Sequence, residues 1–344
     1  MGNRIEEEKE YVPTLYPPSH SPSPSHRLHS SRYNAAVTLN LTQSWAQLGG
    51  LMFVARRLVD GLYAGRHLSR QVGVGQDFHD YRPYAPGDSL NDLDWKLLGR
   101  TDRLYVRRYR RQTDLPVHVV VDASASMQFS GLDADGRPIK TEHTPTKFQM
   151  ASLLAAAVAF LVTRQSDRVG LSLFADRLLK HLPAAATMSH LKQFCTLLEQ
   201  STPEAGMGRL KESLHQTHRL MRRRGMLILL SDLLDDPSEL FDGLAPFSHA
   251  GWEVIVLQTL TPQELDISLL SGQRLQLVDA ETRMTLPTSP SEVSQAYQQR
   301  FDEHLTTIAQ GCAARRFDHQ LVTNEQSIPE ALRRYLARRA SVRM

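Results

Sequence analysis

The chain has 344 residues, of which 41% are apolar and 22% charged, and its 40 basic against 37 acidic side chains leave a net charge of +3. That length supports one large or two ordinary domains with an ample core, and so mild a charge gives no ground for a nucleic-acid partner. Two cysteines, Cys195 and Cys312, are too few for a disulfide framework or a cysteine metal set, so free thiols in a reducing compartment are expected.

Residues 1–34 carry Glu6-Glu7-Glu8 and then a Pro/Ser/His-rich series without any period that could bury a face. They read as a disordered tail. No basic, apolar leader opens the chain. The longest apolar run, Met150 to Val162, falls short of the roughly 20 residues that span a bilayer, so a buried helix, no integral membrane segment and a cytoplasmic location are expected.

Residues 35–112 form a second unit. From Leu39 to Leu62 apolar residues recur at spacings of three or four, the pattern of an amphipathic helix or helix pair broken near Gly49-Gly50, with Arg56, Arg57 and Asp60 on the polar side. Gly73 to Arg111 has no helical period. Pro86-Gly87 suits the centre of a type II turn. Asp88, Asp92 and Asp94 stand against Arg82, Arg100 and Arg103 as a charge network, which Trp95 is expected to shield.

Residues 113–344 read as an α/β domain. Val117-His118-Val119-Val120-Val121 is a run of strand formers that stops at Asp122, with Ser124 and Ser126 following at alternate positions. Three oxygens within one turn, at the carboxyl end of a buried strand, suit a hard cation such as Mg²⁺. The alternative is a strand end whose Asp and Ser cap backbone N–H groups. Downstream come a strong apolar helix (Lys147 to Gln165), a strand (Arg168 to Phe174), an antiparallel edge strand (Leu178 to Leu182), and helices Ser189 to Glu199 and Gly208 to Arg224. Gly225 to Asp232 repeats the logic of the first strand. A helix to Phe247, a strand from Trp252 to Thr259, a hairpin insert near 273–286, a long helix Ser291 to Ala314, a strand Arg316 to Val322 and an arginine-rich closing helix complete the chain. Strands alternating with helices of this length give a doubly wound, mostly parallel sheet with helices on both faces. If their strands are neighbours, Asp122 and Asp232 share one carboxyl edge.

Tyr81-Arg82-Pro83-Tyr84-Ala85-Pro86-Gly87-Asp88, then Leu93-Asp94-Trp95-Lys96, Gly99-Arg100-Thr101, Leu104-Tyr105-Val106 and Asp122 to Met127 together resemble bacterial domain-of-unknown-function family 58 (DUF58). In that family a Y-R-x-Y-x-P-G-D…D-W segment precedes a von Willebrand A-like domain, and the resemblance covers about residues 40 to 340. The chain departs from the family pattern near Asn91, at Gly99 and over Tyr109 to Gln112. The resemblance implies a metal-ion-dependent adhesion site in which Asp122, Ser124, Ser126 and Asp232 hold Mg²⁺ directly or through water. It also implies a threonine in the loop before the helix ending at Arg224. Gly208 stands there, and Thr202 is about six residues early, so a degenerate, metal-free loop is the competing expectation. The partner implied is a MoxR-type AAA+ ATPase, with the chain as an adaptor in the assembly or maturation of a client protein, acting through an exposed loop edge. The enzyme alternative is a phosphatase-like hydrolase with Asp122 as nucleophile. That chemistry wants a second acid two residues on, where Ser124 stands, and no nucleotide-binding or hydrolase motif accompanies it.

Overall fold

The computed structural model describes residues 50–64, 78–86, 93–109, 115–131, 139, 144–204, 209–221, 223–266, 275–278, 285–288, 290–323 and 328–342. The tail expected over 1–34 lies outside them, as do Gly87, Asp88, Asp92 and Gly208.

Helix α1 (Leu51–Ala64) starts directly after Gly50, whose φ of +91° is the conformation that glycine adopts at no steric cost. Its apolar side, Leu51, Val54, Ala55 and Val59, is buried, and Arg56, Arg57 and Asp60 face solvent as the spacing requires. Strand β1 (Phe78–Pro83), helix α2 (Trp95–Thr101) and strand β2 (Tyr105–Tyr109) follow, β1 and β2 pairing antiparallel.

The family segment acquires a local reason here. Asp94 caps α2 by accepting from the backbone N–H of Lys96 and of Leu97. Its other oxygen accepts the Tyr81 hydroxyl at 2.9 Å, which ties β1 to the start of the helix. The expectation that Trp95 shields a charge network is overturned: Trp95 is 63% exposed, because it follows the cap on the outward side of a short helix.

The larger unit is a six-stranded sheet. It is made of β3 (Val117–Asp122), β4 (Val169–Phe174), β5 (Leu178–Ala185), β6 (Met226–Ser231), β7 (Glu253–Thr259) and β10 (Asp318–Val322), in the spatial order β10-β7-β6-β3-β4-β5. The five strands from β10 to β4 are parallel and β5 is antiparallel at the edge, the doubly wound, von Willebrand A-like arrangement expected above. A separate pair, β8 (Leu275–Val278) and β9 (Thr285–Thr288), is antiparallel.

Helices cover both faces. Val117, Val119 and Val121 point towards α1, α3 (Lys147–Arg164), α4 (Met188–Glu199) and α9 (Ile328–Val342). Val120, Leu229 and Val256 point the other way, towards α5 (Leu210–Leu220), α6 (Pro237–His249) and α8 (Pro290–Ala314). With both sides of β3 and β6 buried, unbroken apolar runs replace the alternation of a half-exposed strand.

Among the described residues α3 is the helix long and apolar enough to cross a membrane, yet 83% of that window is buried inside the protein. Helix α5 ends at Leu220, short of the expected Arg224, with Met221 already extended. Cys195 and Cys312 are free and buried on opposite faces of the sheet.

A close approach of backbone dictates the glycine that precedes β6. Gly225 opens β6 so near to β3 that a Cβ there would lie 2.2 Å from the Pro116 carbonyl oxygen, the acceptor of the Met226 N–H. Gly225→Ala forces the central strand pair apart and is expected to cost about 1–3 kcal/mol. Urea unfolding of the variant measures it; wild-type stability would show that the pair adjusts freely.

Candidate functional site

The chain winds from β3 outward through β4 to β5, then returns to lay β6, β7 and β10 on the other side. The winding direction therefore reverses between β3 and β6, and ligands in open α/β sheets bind outside the carboxyl ends of strands at such a point. Asp122 is the last residue of β3, and Asp232 directly follows the last residue of β6. The reversal brings together two carboxylates 110 positions apart in sequence, together with the hydroxyls of Ser124 and Ser126.

Contacts within this group are specific. One Asp122 oxygen accepts the Ser124 N–H at 2.8 Å and the other accepts the Ser231 hydroxyl at 2.5 Å. Ser124 and Ser126 share a hydrogen bond at 3.0 Å between their hydroxyl oxygens. Ser231 in turn accepts the Leu233 N–H, which fixes the turn leaving β6. Ser231 was not singled out in the sequence, although it precedes Asp232 at a strand end as part of the same pattern.

All of these residues are buried, with Asp122 only 6% exposed, so the exposed loop edge of the sequence reading is corrected in one respect: the site residues themselves do not form its surface. Glu204 lies against the group: its N–H donates to the Ala123 carbonyl at 2.8 Å, and it pairs with Ser124 as a parallel bridge. Of the described residues in the loop before α5, Glu204 is the one that meets Ser124. Its side chain is exposed and faces Arg177, from the turn after β4, at 3.6 Å.

Lys147 belongs to the candidate site and is a residue that sequence reading missed. It opens α3 and carries a charge, yet its side chain is 0% exposed. Its ammonium donates to Asp232 at 2.8 Å and to Glu264 at 2.7 Å. Glu264 lies in the short helix α7 (Pro262–Leu265), where its other oxygen accepts the backbone N–H and the hydroxyl of Thr261. A signal existed. A cation in the first turn of a helix opposes the macrodipole, so a lysine opening an apolar helix calls for nearby carboxylates.

Electrostatics separate the two aspartates. Burial, and after it the charge of Asp232, push the Asp122 carboxyl up to about 7, while the hydrogen bonds from Ser231 and Ser124 pull the other way. Asp232 has an ammonium against it. Burial alone would lower the Lys147 pKa, but the charges of Asp232 and Glu264 outweigh it and raise it above its ordinary value.

For a divalent cation the fit is therefore partial. Asp122, Ser124 and Ser126 present hard oxygen donors of the type that Mg²⁺ takes, and their carboxylate has hydrogen bonds but no cation among the described residues. Asp232 is already committed to Lys147. Among the described residues no group of three or more His, Cys, Asp or Glu gathers as a metal cluster, so any cation here would depend on serine hydroxyls. The position two residues beyond Asp122, where a phosphatase of the kind considered above wants its second acid, holds Ser124, whose hydroxyl is bonded to Ser126.

The family described as "Protein of unknown function DUF58" matches residues 80–307, more than half of the chain. The uncharacterized protein Mb1516 of Mycobacterium bovis is 28% identical over 241 residues, which are 69% of this chain and 71% of that protein. The uncharacterized protein Rv1480 of Mycobacterium tuberculosis matches to the same extent, at 28% over 241 residues. Among solved structures, the conserved hypothetical protein BatB from Bacteroides thetaiotaomicron is similar at 16% identity and a TM-score of 0.43, over 66% of this chain and 99% of that one. The SpRpn10 VWA domain is similar at 10% identity and a TM-score of 0.29, over 42% of this chain and 75% of that one.

Proposed function

This chain belongs to the DUF58 family, and from that premise we propose that it is a protein-interaction module whose partner docks at the carboxyl edge of the sheet beside Asp122. The observation that carries the reading is the buried Asp122–Ser124–Ser126 group at the point where the sheet reverses its winding. The Asp122 charge there is met by hydrogen bonds alone among the described residues. Asp122, Ser124 and Ser126 would hold Mg²⁺, with Asp232 near it, and the cation would supply positive charge at an otherwise anionic edge. The proposal assigns no catalysis to this chain.

The partner we propose is a MoxR-type AAA+ ATPase, with the module acting as an adaptor in the assembly or maturation of a client. Support for this comes from the family resemblance of the Tyr81 to Trp95 segment and the Asp122 loop. A cytoplasmic location belongs to the same proposal, since that compartment supplies ATP and keeps Cys195 and Cys312 reduced.

A pulldown or titration calorimetry with the cognate AAA+ protein tests it. Binding is expected to fall when Mg²⁺ is chelated and in Asp122→Ala, a variant that stays folded because it removes a buried like charge beside Asp232. Partner and cation should raise each other's affinity by the same factor. Unchanged binding in both cases would move the contact to the Tyr81 to Trp95 segment, where Tyr81 and Trp95 are exposed.

A further inference from the structure

The cation site proposed above would draw on two aspartates, yet one of them is taken. We infer that Lys147 is a tethered counter-cation of this edge: its ammonium holds Asp232 and Glu264 for itself, so the edge folds without metal. An exchangeable divalent cation is then left with Asp122, Ser124 and Ser126 as its protein ligands. The inference deepens the reading of the edge as a cation site and rests on it.

Several independent contacts fix the ammonium. Its position follows from α3, whose capping box joins the Thr146 hydroxyl to the Gln149 N–H and the Gln149 side chain to the Thr146 N–H. The Lys147 N–H donates to the Phe129 carbonyl at 3.0 Å, which pins the helix start to the loop that carries Ser124 and Ser126. The Phe129 ring lies 5.9 Å from the ammonium, within cation–π range. Both carboxylates are held as firmly. Glu264 is clamped by Thr261, and the backbone of Asp232 is anchored where its carbonyl accepts the Gln258 side-chain amide at 3.0 Å.

The charge count agrees. Asp122, Asp232 and Glu264 are three carboxylates against the single ammonium of Lys147. Among the described residues, Lys147 bridges two of them and leaves Asp122 as the carboxylate without a cation. An ammonium delivers one fixed charge and cannot be chelated away. The structural role that a metal would play for Asp232 is thus filled from within the chain, and cation exchange at Asp122 is uncoupled from the folding of the edge.

A charge-neutral double variant tests this. Lys147→Met with Glu264→Gln removes the ammonium and one of its two carboxylates, so the net charge of the group stays the same while Asp232 is released. Its Mg²⁺ affinity by titration calorimetry at pH 8 is compared with that of the wild type. Ligand charge count tunes such sites over decades of affinity, so the double variant is expected to bind about tenfold or more tightly. Its thermal midpoint should rise with Mg²⁺ and fall with chelator, whereas the wild-type midpoint hardly moves with either.

Equal Mg²⁺ affinity in both proteins would overturn the role of Lys147 and leave the cation site standing. Absence of Mg²⁺ binding in both would overturn the inference together with the cation site. Lys147→Arg guards against a folding artefact. It keeps the charge and should keep the wild-type indifference to Mg²⁺, and a gain of Mg²⁺ dependence there would also count against the inference.

Discussion

Lys147→Met is expected to lower the unfolding free energy by roughly 3–5 kcal/mol, the cost of removing one partner from a buried ion pair. The loss does not come from the ammonium's own solvation, which the folded state already forgoes. It comes from Asp232 and Glu264, which remain buried with no cation against them. Glu264→Gln should cost much less, since Lys147 keeps Asp232 at 2.8 Å and a glutamine oxygen can still accept from Thr261. Urea unfolding at fixed pH gives both numbers. A loss below about 1 kcal/mol for Lys147→Met, the range of surface ion pairs, would mean that water reaches the group and that its burial is overstated.

Asp122→Asn should act in the opposite direction and stabilise the metal-free protein above neutral pH. The Asp122 carboxyl is raised from 3.8 to about 7 by burial and by Asp232. Between those values the folded chain holds a proton that the unfolded chain has released, so the contribution of Asp122 to stability falls as pH rises and is at its worst above about 7. Asparagine has no such term. A shift of about three units corresponds to a gain on the order of 4 kcal/mol at pH 8 that shrinks towards zero near pH 4.

His118 supplies the contrast. It is buried in β3, its Nε2 lies 3.0 Å from the Ser172 hydroxyl, and Ser172 in turn is 3.0 Å from Nδ1 of His181. Burial, with the neighbouring His181 adding to it, lowers His118 from 6.5 to about 3. Here the unfolded chain binds the extra proton, so stability rises with pH across that window. In the wild type the slopes from Asp122 and His118 oppose each other over nearly the same range. In Asp122→Asn the opposing slope is removed, and stability should climb from about pH 4 to 6.5, the direction that His181, His218 and His319, all lowered by burial, also favour. Subtracting the two pH–stability curves isolates Asp122, because every other group contributes to both. A flat difference curve would show that Asp122 is ionised in the fold at an ordinary pKa.

What could be read from the chain and what could not divides along one physical line. Runs such as Val117 to Val121 and Met226 to Leu230 state that a strand is buried on both faces, because an apolar run without alternation leaves no face for solvent. Helices between them dictate parallel neighbours, and the mixed character of Leu178 to Leu182 marks an edge strand, which runs on to Ala185 in the fold. Asp122, Ser124 and Ser126 were legible as a group because their spacing is local.

Lys147, Ser231, Glu204 and Glu264 were not, since each acquires its role from residues far along the chain. Lys147 meets Glu264 across 117 positions and Ser231 meets Asp122 across 109. Local pattern also misjudged exposure: Trp95, an apolar ring, stands out in solvent, while Lys147, a charged side chain, is sealed inside. Sequence states what each residue prefers in isolation. Whether an ammonium can be buried depends on two carboxylates arriving from other elements, and only the closed sheet with its helices in place delivers them.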